Sequence, residues 1–172
     1  MEITIETFNK TKHNRDNFDC GNEPLNDYIK TKLSQDIKKY SNTGYTILNK
    51  NKEAIGFFTL SQYSLKNNNT RNNKDGHKTI SATLLGLFAI DKKFQGQGMG
   101  AKAIYKGVYF KFLESIKIIV SSTLVVHPLS NNRVIRFYEN CGFKKLDENE
   151  ELTMYITTKD ITSIVKELNK SN

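Results

Sequence analysis

The sequence predicts an α/β protein in which a central mixed sheet carries helices on both faces. Two observations support this prediction. Short apolar segments with strand patterning alternate along the chain with segments whose apolar residues recur at helical spacing. The apolar run over residues 84–90 is broken only by Gly86, which is typical of a strand buried on both faces. A length of 172 residues suits one sizeable core, so we expect a single domain over residues 1–172.

The first half of the chain contains three predicted strands and one predicted helix. Residues 3–7 alternate between polar and apolar side chains, as a strand does. Apolar residues at helical spacing over residues 23–39 predict an amphipathic helix with lysines on its outer face. Residues 44–48 and 54–61 form a predicted hairpin, and the polar residues 66–78 form a predicted loop.

The second half begins with a predicted helix that carries Ile104, Val108 and Phe112 one turn apart. Residues 116–120 are apolar and fit either the end of this helix or a strand. Beyond them the patterns predict a strand over 124–127, a helix over 132–141 closed by Gly142, a strand over 151–157 and a final helical stripe of Ile161, Ile164, Val165 and Leu168.

The composition indicates where in the cell the protein is expected and which classes of partner it could bind. A net charge of +8 attracts polyanions such as nucleic acids, although abundant lysine is equally typical of an ordinary solvated surface. No apolar stretch approaches the ~20 residues that cross a bilayer, so we expect a cytoplasmic protein with no membrane partner. Cys20 and Cys141 fit no metal or redox spacing, so we expect reduced thiols and no metal site.

Three glycines follow the strand at 84–90 and open the next helix. Gly96, Gly98 and Gly100 let the backbone turn sharply and approach a ligand closely. At a helix start, unpaired N–H groups and the positive end of the helix dipole favour an anion, most simply a phosphate or pyrophosphate.

Two glycine patterns fit this segment. Gly96-x-Gly98-x-x-Ala101 matches a relaxed dinucleotide fingerprint, but the acidic residue expected about 20 residues further on is absent. Gln95-x-x-Gly98-x-Gly100 resembles instead the pyrophosphate loop of the GNAT (Gcn5-related) N-acetyltransferases. No Gly-Lys-Ser/Thr follows, which excludes the P-loop pattern.

A second motif strengthens the resemblance to GNAT proteins. The segment 125–143 is similar to their later motif, a strand followed by a helix, through the residues Asn131, Val134, Phe137, Tyr138, Glu139, Gly142 and Phe143. The resemblance implies the GNAT fold, with a mixed, mostly antiparallel sheet flanked by helices. It also implies acetyl-coenzyme A as the cofactor and an N-acetyltransferase activity toward a primary amine.

The resemblance assigns roles to particular residues. Tyr138 matches the general acid that protonates the departing thiolate, although a core tyrosine would also suit this helix. Asn131 matches a contact to the cofactor arm and would serve equally as a helix cap. Backbone groups of three strand residues would bind the pantetheine arm, namely Phe88, Ala89 and Ile90. The pyrophosphate would lie on Gln95, Gly96, Gln97, Gly98, Met99, Gly100 and Ala101.

The N-terminal third favours one branch of the family. Phe18-Asp19-Cys20-Gly21, with Leu25 and the pair Tyr28-Ile29 after it, resembles the opening motif of the TacT and AtaT type toxins. These GNAT proteins acetylate the α-amine of aminoacyl-tRNA, block translation and are neutralised by ribbon-helix-helix antitoxins. The absence of a convincing general base agrees with such an acceptor, because an α-amine has an ordinary pKa near 8.

Two departures from the toxin pattern leave other functions open. Leu87 stands where the toxins usually carry an arginine, whose absence concerns the binding of the acceptor. Pro128 stands where a small residue is common. The alternatives are a GNAT enzyme acting on a small-molecule or protein amine, and a non-catalytic module that binds coenzyme A or nucleic acid. The C-terminal stripe fits either the cover of a sheet edge or the seam of a homodimer, and the sequence does not decide between these two roles.

Overall fold

The computed structural model describes residues 1–66, 79–146 and 152–170. Its seven strands form one mixed sheet in the order β1-β2-β3-β4-β5-β7-β6. β4 and β5 are parallel, whereas β1–β2, β2–β3, β5–β7 and β6–β7 are antiparallel pairs. The strands are β1 (Thr4–Thr7), β2 (Thr43–Leu48), β3 (Ala54–Lys66), β4 (Thr79–Ile90), β5 (Thr123–Val126), β6 (Lys144–Leu146) and β7 (Thr153–Thr157). The predicted fold class is confirmed.

The helices include two wider turns of π-helix, a local change in winding that is common at functional sites. The helical segments are α1 (Glu23–Asp27), a π segment (Tyr28–Lys32), α2 (Leu33–Lys38), a 3-10 turn (Lys92–Phe94), α3 (Met99–Ala103), a second π segment (Ile104–Val108), α4 (Tyr109–Ser115), α5 (Asn132–Asn140) and α6 (Thr158–Lys170). Across the three described stretches, no helix is long and apolar enough to cross a bilayer.

Contacts divide the chain into two compact units, and the first contains residues 1–61 and 86–108. Its core includes Phe18 and Phe57, whose rings meet edge to face at 5.8 Å. The apolar stripe of the first helical run enters the same core through Ile29 and Leu33, which are both buried. The spacing of these residues therefore decides which face of the run is buried.

The second unit contains residues 62–85 and 109–172. The predicted C-terminal stripe is confirmed in α6, where Ile161 and Val165 are buried. A buried hydrogen bond joins α4 to the end of α5, because the Tyr109 hydroxyl donates to the Cys141 carbonyl at 2.5 Å. Gly142 then ends α5 at φ +97°, a conformation that favours glycine. The single-domain expectation stays a prediction.

Several predicted boundaries need correction. β4 starts at Thr79 rather than at residue 84, and its middle is not buried on both faces, because Gly86 is exposed and Leu87 and Phe88 are half-buried. The helix ends at Ser115, so the ambiguous residues 116–120 are neither helix nor strand, and residues 117–120 are exposed. β6 was not predicted. The predicted loop beyond Lys66, at residues 67–78, and the start of the predicted strand at residue 151 lie outside the described residues.

Candidate active site

The glycine run forms a tight turn between β4 and α3, as predicted. Gly96 and Gly98 have φ values of +74° and +73°, and Gly98 is the residue that precedes helix α3. A Cβ atom built on either glycine would meet nothing within 4 Å. The need for glycine in this turn is therefore conformational, because L side chains disfavour positive φ, and the space beside the turn is open.

The helix start beside this turn supplies hydrogen-bond donors for an anion. The first N–H groups of a helix, here beginning at Met99, have no carbonyl partner within the helix. The Lys102 N–H donates to the Gly98 carbonyl at 3.0 Å, which places the first helical bond at Gly98. These donors, the helix dipole and the open space fit a pyrophosphate.

Side-chain amides hold the turn from within. Gln95 Nε2 donates to the Ile90 carbonyl at 2.8 Å and to the Cys20 carbonyl at 2.9 Å. Gln97 Nε2 donates to the Lys93 carbonyl at 2.8 Å. Both donor hydrogens of Gln95 are thus engaged by the protein, so backbone N–H groups remain the better candidates for binding a phosphate. The cofactor contacts assigned to residues 95–101 stay predictions.

The Phe18–Gly21 motif lies against the same turn, a relation that no local pattern in the sequence predicts. Asp19 N–H donates to Asp91 Oδ2 at 3.1 Å, and Lys92 N–H donates to the Asp19 carbonyl at 2.7 Å. Lys92 Nζ also pairs with the Asp19 carboxylate. The hydrogen bond from Lys92, with further bonds from the Gly21 N–H and the Asn26 amide, holds the pKa of Asp19 well below its usual range.

The strand residues predicted to bind the pantetheine arm end β4 within the same unit. Phe88 is half-buried, whereas Ala89 and Ile90 are buried. Leu87 packs against the apolar cluster that contains Phe57, and its N–H donates to Thr59 Oγ1 at 3.0 Å. The position where the toxins usually carry arginine is therefore part of an apolar surface in this chain.

Tyr138 and Asn131 belong to the second unit, where Tyr138 lies on α5 and Asn131 directly precedes it. Tyr138 is 6% exposed and meets Phe137 and Phe143 edge to face, at 5.1 and 5.3 Å between ring centroids. Burial is the main cause that raises the pKa of the Tyr138 hydroxyl, which keeps the proton in place at neutral pH. Asn131 Oδ1 accepts from the Arg133 N–H at 2.8 Å, so Asn131 does cap the helix.

The cap formed by Asp91 beside the glycine turn was not predicted, although a local signal for this cap exists. An aspartate directly before a short helical turn is a common N-cap, and Asp91 Oδ1 accepts from the Lys93 N–H at 2.9 Å. The second contact of its carboxylate, to Asp19, has no local signal because the two residues are far apart in the chain.

The chain matches one protein family and several solved structures. Residues 11–143 match the model of the acetyltransferase (GNAT) family. A tyrosine-to-phenylalanine variant of KacT is 26% identical, with a TM-score of 0.83 over 95% of this chain and 99% of that chain. A similar variant of AtaT, bound to acetyl-CoA and to the C-terminus of the antitoxin AtaR, is 25% identical, with a TM-score of 0.79 over 94% and 97%.

A third similar structure is AtaT complexed with acetyl-methionyl-tRNAfMet. It is 24% identical, with a TM-score of 0.81 over 95% of this chain and 99% of that chain. The family match covers most of the chain and includes the glycine turn, Asn131 and Tyr138. The chain therefore belongs to the acetyltransferase (GNAT) family.

Proposed function

We propose that this protein transfers the acetyl group of acetyl-coenzyme A to the α-amine of an aminoacyl-tRNA, as the toxin of a toxin–antitoxin pair in the cytoplasm. The observation that supports aminoacyl-tRNA as the acceptor is the structural similarity to KacT and AtaT over almost the whole chain. One structure contains AtaT bound to acetyl-methionyl-tRNAfMet, and another contains an AtaT variant bound to the C-terminus of its antitoxin AtaR. We further propose a ribbon-helix-helix antitoxin as the partner of this chain.

The glycine turn is the proposed site for the pyrophosphate of acetyl-coenzyme A. Its support is the pair of positive-φ glycines, the open space beside them and the donors at the start of α3. Backbone groups of Phe88 and Ala89 are proposed to bind the pantetheine arm. The Ile90 carbonyl already accepts from Gln95, so Ile90 would contribute through its N–H or its side chain.

Tyr138 is the proposed general acid. Transfer from a thioester to an amine breaks the carbon–sulfur bond, and the departing thiolate takes up a proton. Tyr138 lies within the segment that matches the family, and its hydroxyl is protonated at neutral pH and can supply this proton. The two KacT and AtaT structures compared above carry tyrosine-to-phenylalanine substitutions, which remove only a hydroxyl.

An α-amine acceptor reduces the need for a general base in the enzyme. An unperturbed α-amine has a pKa near 8 and is partly deprotonated at neutral pH, whereas a lysine ε-amine, with a pKa near 10.4, is almost fully protonated. The α-amine therefore needs little help from a general base. The net charge of +8 additionally attracts the tRNA phosphates.

One observation favours a second candidate acceptor, a small-molecule or protein amine. Leu87 replaces the arginine that the toxins usually carry, and it packs into an apolar cluster instead of presenting a charge. An acceptor without phosphates would not need that arginine.

The deciding experiment offers both acceptor classes to the full chain. The protein is incubated with acetyl-coenzyme A and either a charged tRNA pool or a panel of polyamines and peptides, and the products are identified by mass spectrometry. N-acetylated aminoacyl ends that form at enzyme-like rates support the tRNA proposal. Acetylation confined to the amine panel overturns it in favour of the second candidate.

A further inference from the structure

Two segments that are distant in the chain are joined by two hydrogen bonds, one donated from each segment, at the entrance to the glycine turn. Asp91 is 4% exposed, and both of its carboxylate oxygens accept backbone N–H groups, Oδ1 from Lys93 at 2.9 Å and Oδ2 from Asp19 at 3.1 Å. In return, the Asp19 carbonyl accepts the Lys92 N–H at 2.7 Å. We call this arrangement of Asp19, Asp91 and Lys92 the clasp.

Neighbouring side chains close the clasp on both sides. Gln95 Nε2 donates to the Cys20 carbonyl and to the Ile90 carbonyl, so the residue directly before Gly96 is tied to the same N-terminal segment. Asn26, itself buried, accepts the Cys20 N–H at 2.8 Å and donates to Asp19 Oδ1 at 3.0 Å. The Phe18–Gly21 motif is therefore hydrogen-bonded to α1 through Asn26 as well as to the glycine turn.

A buried carboxylate is costly unless its oxygens are fully hydrogen-bonded. Asp91 satisfies its oxygens with two N–H groups that belong to different segments, which fixes the distance between those segments. One of the two groups lies inside the turn that leads to Gly96 and Gly98. Backbone donors stabilise an anion best when they are already oriented before the ligand binds.

We propose that Asp91 is a positioning residue for coenzyme A, which acts by holding the pyrophosphate turn against the N-terminal segment through Asp19. This inference rests on the proposed use of the turn by acetyl-coenzyme A. It assigns to part of the Phe18–Gly21 motif a role in cofactor affinity rather than in acceptor choice. Asp91 does not itself touch the cofactor in this account.

Two substitutions distinguish the bond between Asp91 and the Asp19 N–H from the cap that Asp91 forms on the Lys93 N–H. Asp91→Asn keeps an oxygen that can cap the turn at Lys93, and its amide replaces the oxygen that accepts from Asp19. Asp91→Ala removes both bonds. The matched control is Asp16→Asn, an exposed aspartate in the same unit with the same change of charge.

The experiment measures the dissociation constant of coenzyme A by calorimetry and that of S-acetylpantetheine, which lacks the pyrophosphate, by NMR titration. We expect coenzyme A to bind about fivefold to tenfold more weakly to Asp91→Asn and more weakly still to Asp91→Ala, an effect of preorganisation. S-acetylpantetheine should bind the wild type and Asp91→Asn within about twofold of one another. Asp16→Asn should match the wild type for both ligands.

The possible outcomes distinguish this inference from the proposed function. Unchanged coenzyme A affinity in a folded Asp91→Asn variant, or an equal loss for both ligands, overturns the positioning role. A wild-type protein that binds no coenzyme A overturns both proposals. A wild-type protein that binds coenzyme A but leaves charged tRNA unmodified overturns the acceptor proposal alone. If Asp91→Ala does not fold, Asp91→Asn decides, because it retains the cap.

Discussion

Tyr28 and Asp36 are joined across the π segment of the first helical run, where the Tyr28 hydroxyl donates to Asp36 Oδ2 at 2.8 Å. The same hydroxyl accepts from the Asn42 amide at 3.1 Å, and the Tyr28 ring stacks on Phe57. Burial, followed by the bond to Asp36, raises the pKa of Tyr28 to about 12. This hydroxyl therefore ties the helical run to the loop before β2.

Tyr28→Phe should lower the free energy of unfolding by about 1–3 kcal/mol at pH 7, because two side-chain hydrogen bonds are lost while the ring packing is kept. The raised pKa stabilises the folded wild type fully below pH 10, and this contribution is lost as the pH rises from 10 to 12. Urea unfolding at pH 7 and pH 11 measures both effects. Equal pH dependence in the wild type and the variant would refute the role of Tyr28.

Tyr138→Phe should reduce kcat about 100-fold and leave the KM for acetyl-coenzyme A within about twofold, since loss of a general acid affects the chemical step. Steady-state kinetics on the acceptor that the mass-spectrometric experiment identifies provides the measurement. Tyr155→Phe, on β7 of the same unit, is the matched control and should retain the wild-type kcat. A Tyr138→Phe enzyme with normal kcat would leave Tyr138 as a core residue.

Gly98→Ala and Gly100→Ala should have opposite effects on stability. Gly98 has a φ of +73°, so alanine there should cost about 1–2 kcal/mol of unfolding free energy through backbone strain. Gly100 lies within α3, where replacing glycine by alanine is expected to stabilise the helix by about 0.5–1 kcal/mol. Chemical denaturation of the two variants tests the pair, and the same sign for both would contradict the conformational reason given for Gly98.

Asp19→Asn should make folding less sensitive to acid. The wild-type carboxylate has a lowered pKa, so its contribution is present above the ordinary aspartate pKa, near 3.8, and is lost as the pH falls toward the folded pKa. The variant lacks this contribution at every pH. Thermal unfolding between pH 5 and pH 2.5 should therefore show a shallower fall for Asp19→Asn than for the wild type. Parallel curves would mean that Asp19 is not coupled to folding.

Much of the candidate site could be predicted because its signals are local. Positive φ at Gly96 and Gly98, the cap by Asn131 and the end of α5 at Gly142 each depend on a few consecutive residues. The glycine spacing therefore predicts an anion-binding turn directly. The tyrosine motif then distinguishes coenzyme A from a dinucleotide, a distinction that the family match confirms.

Other features could not be read from local patterns. The apolar run in β4 predicts burial on both faces, yet Gly86 is exposed and Leu87 half-buried, because exposure depends on what packs against each face. β6 is a strand of three residues, two of them lysines, and it carries no apolar alternation for a pattern to detect.

The sequence by itself determined the order of the elements, the turn that suits a pyrophosphate and the family of the enzyme. Helical spacing, strand alternation and glycine conformation are properties of neighbouring residues. Only the tertiary structure decided that Asp19 meets Asp91, two residues separated by 72 positions. Such a bond depends on how distant segments of the chain pack together, and it places the Phe18–Gly21 motif against the glycine turn.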